Sequence, residues 1–251
     1  MTETPTTRRI CPLVSPTVIE MRDAIADAAA AGAEMVELRL DCIEDAVTEE
    51  TVEQLVAAAN AATIETLVTY RPVRQGGHFD GDESARLAML RYAATVADWV
   101  DIEDDVPRKH WPEQTDKIIL SHHDFTQCPK NLDKIVAAMN ASDAAVAKVA
   151  FYPQHAADVF RAFDVLHNST NPAIALAMGP KGIVTRLAAK PFGAFGTFAV
   201  LDAEAISAPG QPTLADLTAK YRWEQQTAET ALFAVVGCPV GHSMSPAMHN
   251  A

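Results

Sequence analysis

Residues 34–41 read EMVELRLD, and the two faces of this stretch differ in character. In a β-strand successive side chains point to opposite sides. One side then carries Val36, Leu38 and Leu40. The other side carries Met35, Glu37, Arg39 and Asp41. Three charged side chains in a row do not suit a packed apolar core, so this face meets either water or a polar interior.

Strand-like runs alternate with helix-like segments along the chain. The predicted strands cover residues 9–14, 35–41, 65–70, 99–103, 117–121, 144–151, 173–177 and 196–201. The predicted helices cover residues 16–31, 51–61, 83–97, 131–139, 156–166, 182–188 and 214–223. Eight such units in 251 residues predict an α/β fold, a single (β/α)8 TIM barrel, with an open doubly wound sheet as the alternative.

The barrel interpretation assigns both faces of residues 34–41. We expect the apolar face to pack under the helices, while Glu37, Arg39 and Asp41 rise through the interior toward the mouth at the strand ends. The alternative is a solvated edge strand, which a closed barrel does not contain.

Composition limits the classes of partner. The net charge is −13 at pH 7, which disfavours nucleic acid and anionic membranes and favours a small-molecule substrate. The first residues contain no signal-like apolar segment, and no run of eighteen apolar residues occurs, so we expect a cytoplasmic protein. The four cysteines, Cys11, Cys42, Cys128 and Cys238, have no CxxC or finger-like spacing, so we expect reduced thiols.

Polar side chains end several predicted strands. The third strand runs into TYRPVRQGG (69–77), the fourth into VDIEDD (100–105) and the fifth into SHHDF (121–125). Because parallel strands of a barrel end at the same mouth, these groups indicate a shared cavity.

Lys148 is the most informative single residue. Strand alternation aligns it with Val146 and Ala150, in the apolar segment DAAVAKVAFYP (143–153). An exposed lysine on a sheet face is the ordinary alternative, but a central parallel strand has no solvated face. Lys148 should therefore reach the interior, where loss of solvation makes the neutral amine available as a nucleophile toward a carbonyl.

Taken together, these segments resemble the type I 3-dehydroquinate dehydratases, Schiff-base enzymes of the shikimate pathway. The motifs that carry the resemblance span residues 10 to about 223 and are ELRLD, TYRPVRQGG, DIE, SHHDF, AKVAFYP, AMGPKGIVTRL, FGAFGTFA and SAPGQ. The resemblance implies a (β/α)8 barrel that dehydrates 3-dehydroquinate without a metal or organic cofactor, as a homodimer.

The resemblance also implies roles for particular residues. Lys148 would form the Schiff base and His123 would act as general acid and base, with His122 as a bystander. The substrate hydroxyls would contact Glu37, Arg39 and Arg71. The substrate carboxylate would contact Arg186, Ser207 and Gln211.

Two positions depart from the family pattern. Gln75 stands where many members have a glutamate that supports the catalytic histidine, and an amide cannot stabilise an imidazolium by charge. We therefore expect a lower pKa for His123 than in relatives, and we expect Gln75→Glu to move the pH profile. Pro12 stands near a serine of some relatives, and no role is assigned to it.

The last residues resemble a different family. The segment ALFAVVGCPVGHSMSPAMHNA (231–251) contains GxPxxHSxSPxxHN, which is similar to the start of shikimate dehydrogenase, where serines matching Ser243 and Ser245 bind shikimate. We predict a dehydratase barrel over residues 1–230 and a truncated dehydrogenase-like segment over 231–251. That segment should form a short strand and a turn, poorly packed, and it lacks a nicotinamide-binding motif.

Two other functions fit part of the pattern. A class I Schiff-base aldolase on the same barrel would use the same lysine, with a different set of proton-transfer groups. A catalytically idle binding protein would keep the fold without turnover, although the intact Lys148 and His123 argue against that reading.

Overall fold

The eight strands form one parallel sheet that curls into a nearly closed barrel. The computed structural model describes residues 6–202, 210–235, 237 and 243–250. Its strands are β1 Arg8–Leu13, β2 Met35–Arg39, β3 Glu65–Thr69, β4 Trp99–Glu103, β5 Ile118–Asp124, β6 Val146–Phe151, β7 Ala173–Ala177 and β8 Gly196–Phe198. They pair in the order β7-β6-β5-β4-β3-β2-β1-β8. The strands follow one another in sequence order from β1 to β7, and β8 returns to the side of β1. A doubly wound sheet would reverse its strand order, so that alternative is wrong and the (β/α)8 TIM barrel is confirmed.

The gap between β7 and β8 is bridged by the backbone. The N–H of Phe195 donates to the carbonyl of Ala173 at 2.8 Å. This bond lies at the start of both strands, so the barrel is nearly closed, with its weakest junction between its seventh and eighth strands.

The helices follow the strands in the predicted order. They are α1 Val18–Ala30, α2 Glu49–Ala61, α3 Glu83–Val96, α4 Leu132–Asn140, α5 Ala156–Asn168 and α6 Ile183–Leu187. Side-chain caps start the first three: Thr17 accepts from the N–H of Glu20, Thr48 from the N–H of Thr51, and Asp82 from the N–H of Ala85. The last predicted helix, residues 214–223, is instead the π-helix Asp216–Lys220.

The two faces of β2 separate as predicted. Val36, Leu38 and Leu40 belong to the apolar layer between strands and helices. The barrel interior begins with a second apolar cluster that includes Ile10, Met35, Leu67, Ile119, Val146 and Ile174. Above this floor the interior side chains become charged, beginning with Glu37, which is buried. The charged face of β2 therefore meets a polar barrel interior and not bulk water.

Asp41 differs from its prediction. The strand ends at Arg39, and Asp41 lies in the following 3₁₀ turn, Leu40–Cys42. Its carboxylate binds the guanidinium of Arg39 at 2.7 Å and accepts from the backbone N–H groups of Arg71 and His78. These bonds hold Asp41 away from the interior face. In this position it connects the loop after β2 to the loop after β3.

The segment after the barrel contains little regular structure. Residues 231–235 form no strand, so that prediction is wrong where the structure describes the segment. A closed barrel offers no free edge for pairing, and Phe233 is accordingly 95% exposed. A short helix, α7 Ser245–His249, follows, and the side chain of Asn250 donates to the carbonyl of Lys220 at 3.0 Å. None of the described helices combines the length and apolar character needed to cross a membrane.

Candidate active site

A cavity opens at the mouth of the barrel, where the strands end. It encloses about 550 Å³, including its open upper part. The predicted site residues that line it are Glu37, Arg39, Arg71, His123, Lys148, Arg186 and Gln211. Ser207, the eighth predicted residue, lies outside the described residues. Side chains separated by as many as 174 positions in sequence, from Glu37 to Gln211, thus meet in one place.

Lys148 lies on the interior face of β6, at a depth where it is only 4% exposed. Its ammonium nitrogen lies 2.9 Å from the carboxylate of Asp101 and 3.9 Å from that of Glu37. The same nitrogen lies 4.6 Å from the ring centroid of Phe198. A buried cation needs such partners, since an unpaired charge at this depth would be strongly unfavourable. The lysine is therefore desolvated and held in one position.

Asp101 connects Lys148 to a second cation. Both atoms of its carboxylate are buried, and Arg71 binds it at 2.8 Å while Ser121 donates a further hydrogen bond. Burial would raise the pKa of Asp101, but the cations Arg71 and Lys148 outweigh it and hold that pKa well below its usual range. Asp101 is thus a carboxylate throughout the neutral pH range.

Arg71 is largely committed to protein groups. One terminal nitrogen binds Glu103 at 2.8 Å and Ser121 at 2.9 Å, while the other binds Asp101. The second oxygen of Glu103 lies 2.9 Å from a nitrogen of the fully buried Arg86. Arg71 lines the cavity, yet most of its charge neutralises the carboxylates behind it. Its predicted contact with a substrate hydroxyl stays a prediction.

His123 lies one level above Lys148 on the neighbouring strand. In the β5–β6 register Ser121 is opposite Lys148, and His123 is opposite Ala150. Its Nδ1 lies 3.3 Å from Oε1 of Gln75, and its ring stacks on Phe125 with centroids 6.0 Å apart. Burial first, and then the nearby cations, hold the pKa of His123 well below its ordinary value. The imidazole is accordingly neutral at pH 7, as a general base requires.

His122 has a different environment, although it is adjacent in sequence. Its Nδ1 lies 2.8 Å from a carboxylate oxygen of Asp104, outside the cavity. This hydrogen bond raises the pKa of His122. Because neighbouring strand residues point to opposite faces, the two imidazoles are separated by the strand itself.

Arg186 places a buried cation in the cavity. It lies on α6 and is only 2% exposed, and within the described residues its Nε and Nη1 have no hydrogen-bond partner. Burial lowers the pKa of Arg186 to about 10. Gly182 permits the close approach of this helix, because a Cβ there would lie 2.0 Å from the carbonyl oxygen of Ala177. An unpaired buried guanidinium in a cavity is a ready site for a carboxylate.

Several residues at the cavity were not predicted as site residues, among them Asp101 and Phe125. Asp101 could have been found, because alternation along VDIEDD places Asp101 and Glu103 on one face, as it does for Glu37 and Arg39. Phe125 gives no comparable signal, since a single aromatic residue in a loop has many ordinary explanations. Within the part of the chain that the structure describes, no group of three His, Cys, Asp or Glu side chains could hold a metal ion.

Comparison with known proteins gives concordant matches. The family model of type I 3-dehydroquinase matches residues 10–228. The chain is 34% identical to the bifunctional 3-dehydroquinate dehydratase/shikimate dehydrogenase of Arabidopsis thaliana, over 96% of the chain and 41% of that protein. It is 33% identical to the 3-dehydroquinate dehydratase of Desulfotalea psychrophila, over 74% of the chain and 85% of that protein.

A solved structure supports the same fold. The chain superimposes on the type I 3-dehydroquinate dehydratase of Clostridium difficile with a TM-score of 0.74, at 22% identity, covering 88% of the chain and 94% of that structure. At this level of identity the likeness concerns the barrel and its strand order.

Proposed function

The chain belongs to the type I 3-dehydroquinase family, and on that premise we propose that it dehydrates 3-dehydroquinate to 3-dehydroshikimate in the shikimate pathway. The observation that carries this proposal is the presence of two groups in one cavity: the buried amine of Lys148 and the guanidinium of Arg186, whose Nε and Nη1 have no hydrogen-bond partner among the described residues. The substrate has a ketone for the amine and a carboxylate for the guanidinium.

Lys148 would form a Schiff base with the substrate. The free amine attacks the C3 ketone, and loss of water from the carbinolamine gives an iminium, which accepts electrons from the adjacent carbon. Lys148 attacks as the free amine. The neutral imidazole of His123 in the same cavity can take the amine proton and return it to the hydroxyl that leaves the carbinolamine as water, so His123 is neutral again before the C2 proton is removed. Asp101 and Glu37 keep the nitrogen in place before the reaction.

His123 would carry the protons of the elimination. It removes the C2 proton made acidic by the iminium, and the resulting enamine expels the C1 hydroxyl as water with the proton that His123 returns. Hydrolysis of the product iminium releases 3-dehydroshikimate and restores Lys148. A neutral imidazole at rest is the form that this order of events needs.

The remaining residues would orient the ring of the substrate. Arg186, with Ser207 and Gln211, would hold the carboxylate, and a guanidinium can do so through two parallel hydrogen bonds. Glu37, Arg39 and Arg71 would contact the hydroxyls. Holding both ends of the substrate fixes the C2 proton near His123, and such positioning lowers the barrier by removing rotational freedom before the reaction.

Borohydride reduction in the presence of 3-dehydroquinate, followed by peptide mass mapping, tests this proposal. The expected adduct lies on the Lys148 peptide and is lighter by one water than the reduced substrate imine, because dehydration precedes capture. The Lys148→Ala variant should give no adduct, while Lys190→Ala, which removes an amine outside the cavity, should leave capture unchanged.

Other outcomes would support other functions. An adduct that keeps the water, together with cleavage of aldol substrates, would indicate a Schiff-base aldolase. Tight binding of 3-dehydroquinate without capture or turnover would indicate a binding protein. An adduct that persists in Lys148→Ala would contradict the assignment of the lysine.

We also propose an assembly, a location and a second module. A cytoplasmic homodimer follows from the family resemblance and the composition, and sedimentation analysis of the purified protein tests the dimer. Residues 231–251 are proposed to begin a shikimate-dehydrogenase-like module, supported by the alignment with the bifunctional Arabidopsis protein over 96% of the chain. Deleting them should then leave the dehydration rate unchanged, whereas lost dehydration would tie them to the barrel.

A further inference from the structure

The helix that carries Arg186 is too short to hold its own position. It is α6, which has five residues, whereas an isolated helix needs about 12 or more to be stable in water. Arg186 is nevertheless buried, and its side chain lines the cavity. The orientation of this side chain must therefore come from contacts between α6 and the rest of the barrel.

The first contact is made by the hydroxyl of Thr185, the residue before Arg186. It donates to the carbonyl of Gly182 at 2.7 Å, and it accepts from the backbone N–H of Ala177 at 3.1 Å. Gly182 caps the start of α6, and Ala177 is the last residue of β7. Thr185 is 0% exposed, so water cannot replace either bond. One hydroxyl thus connects the end of a strand to the start of the helix.

The bond to Ala177 occupies a gap in the sheet. The N–H of Met178 donates to Phe151 on β6, so the N–H of Ala177 points the other way, toward β8. β7 and β8 are the two ends of the sheet order, and the backbone bond between them lies at the start of the strands. At the mouth of the barrel, Thr185 therefore supplies the acceptor that a neighbouring strand supplies elsewhere, and a buried N–H needs one.

The second contact reaches α6 from the other side of the same junction. Thr197 lies on β8 next to Phe198, which belongs to the interior apolar cluster, so the side chain of Thr197 points toward the helices. Its hydroxyl donates to the backbone carbonyl of Arg186 at 3.1 Å. The last carbonyls of a helix lack partners within it, and this bond satisfies one of them. The helix is therefore hydrogen-bonded to both strands that flank the junction.

We propose that Thr185 and Thr197 are positioning residues for Arg186, whose hydroxyls hold α6 across the β7–β8 junction so that the guanidinium faces the substrate carboxylate. The inference rests on the proposed role of Arg186 in binding that carboxylate. Within the described residues Nε and Nη1 of Arg186 have no hydrogen-bond partner, so bonds to its backbone and to Thr185 set its orientation instead. Two parallel hydrogen bonds to a carboxylate depend on the plane of the guanidinium, so a small rotation of α6 should weaken them.

The experiment compares the binding of two ligands that do not react. Quinate is 3-dehydroquinate with its ketone reduced to an alcohol, and the methyl ester of quinate lacks the negative charge. Titration calorimetry of the full chain gives both dissociation constants, and their ratio measures how strongly the site prefers a carboxylate. In the wild-type protein we expect quinate to bind about 30-fold more tightly than the ester.

Thr185→Val keeps the shape of the side chain and removes the hydroxyl, so the guanidinium of Arg186 should lose its fixed orientation. We expect the preference for quinate over the ester to fall about tenfold, with the affinity for the ester nearly unchanged. Thr185→Ser keeps a hydroxyl and should keep most of the preference. Thr197→Val should lower the preference in the same direction, and it decides the matter if Thr185→Val does not fold.

Thr66→Val is the matched control. Thr66 is likewise 0% exposed, and its hydroxyl donates to the carboxylate of Asp98 at 2.9 Å and accepts from the Asp98 N–H at 3.0 Å. It lies outside the cavity. Thr66→Val should lose stability as Thr185→Val does, yet keep the wild-type preference for quinate. Equal preferences in these two variants would show that Thr185 is only structural.

Arg186→Met separates the inference from the proposed function. If Arg186 binds the carboxylate, this variant loses the preference for quinate, and adding Thr185→Val lowers the preference no further. A preference lost in Arg186→Met but unchanged in Thr185→Val and Thr197→Val would overturn the inference and leave the proposed function standing. A preference unchanged in Arg186→Met would contradict the carboxylate role itself, and the inference with it.

Discussion

The ammonium of Lys148 lies 2.9 Å from the carboxylate of Asp101, and neither side chain is more than 5% exposed. Arg71 forms a second ion pair with the carboxylate of Asp101, at 2.8 Å. The nucleophile of the proposed reaction is therefore one member of a buried charge network, whose members depend on one another. Changing one of them leaves a charge without a partner.

Removing the charge of Asp101 should destabilise the barrel. Asp101→Asn leaves Arg71 and Lys148 facing each other with one carboxylate fewer, and breaking a buried ion pair in this way costs about 3 kcal/mol. Urea unfolding monitored by circular dichroism measures the change in the free energy of unfolding. Asp133→Asn is the control, because the Asp133–Arg161 pair is exposed and should contribute little. Equal stability of the Asp101 and Asp133 variants would show that the network is not stabilising.

The buried guanidinium of Arg186 should favour the binding of an anion and lower the stability of the protein when no anion is bound. Arg186→Met replaces a buried guanidinium, two of whose nitrogens lack partners among the described residues, by an apolar chain, so we expect the melting temperature to stay equal or rise. The affinity for a carboxylate-bearing substrate should fall about 30-fold or more. Calorimetric melting and substrate titration measure the two effects. A lower melting temperature of Arg186→Met with unchanged substrate affinity would show that Arg186 stabilises the fold and does not bind the substrate.

The dehydration activity of the wild-type protein should persist at acidic pH. The base form of His123 is lost only as pH falls through its pKa, and that pKa is held well below its ordinary value. The acidic limb of kcat/KM should therefore lie well below pH 6.5. Gln75→Glu stabilises the imidazolium, raises the pKa of His123 and moves that limb to higher pH. Gln75→Met, which is similar in size and uncharged, should not raise it, and a profile identical in Gln75→Glu and wild type would refute the expectation.

His122 should affect stability rather than catalysis. Its pKa is raised by Asp104, so the stabilising pair is fully formed below the unfolded-state pKa and is lost as pH rises through the folded-state value. His122→Gln should lower the free energy of unfolding by up to about 1 kcal/mol at pH 5 and by nothing at pH 9. Unfolding at the two pH values tests this. A large loss of kcat in His122→Gln would instead assign it to the reaction.

The fold could be predicted because strand alternation is a local property. EMVELRLD has an apolar face for the helices and a polar face for the interior, and β2 carries both as predicted. The same reasoning applied to VDIEDD would have identified Asp101. The candidate site residues were predicted from motifs that resemble those of the type I family. Those that the structure describes line one cavity, because parallel strands end at one mouth.

Features decided by distant contacts could not be predicted. Asp41 leaves the strand face because backbone N–H groups from another loop bind it. Residues 231–235 have a strand-like sequence, but strand formation needs a neighbouring edge that the closed barrel lacks. The commitment of Arg71 to Asp101 and Glu103 likewise depends on three strands at once.

The burial of the charge network separates the protein into two electrostatic regions. The outer surface carries most of the ionisable groups of a chain with net charge −13, and dissolved ions screen such charges over a Debye length of about 8 Å at physiological ionic strength. Asp101, Glu103 and Arg86 are wholly inaccessible, so counterions cannot approach them. Changes in ionic strength therefore alter the long-range attraction and repulsion felt by an approaching anion, while the field around the amine of Lys148 is set by the protein itself.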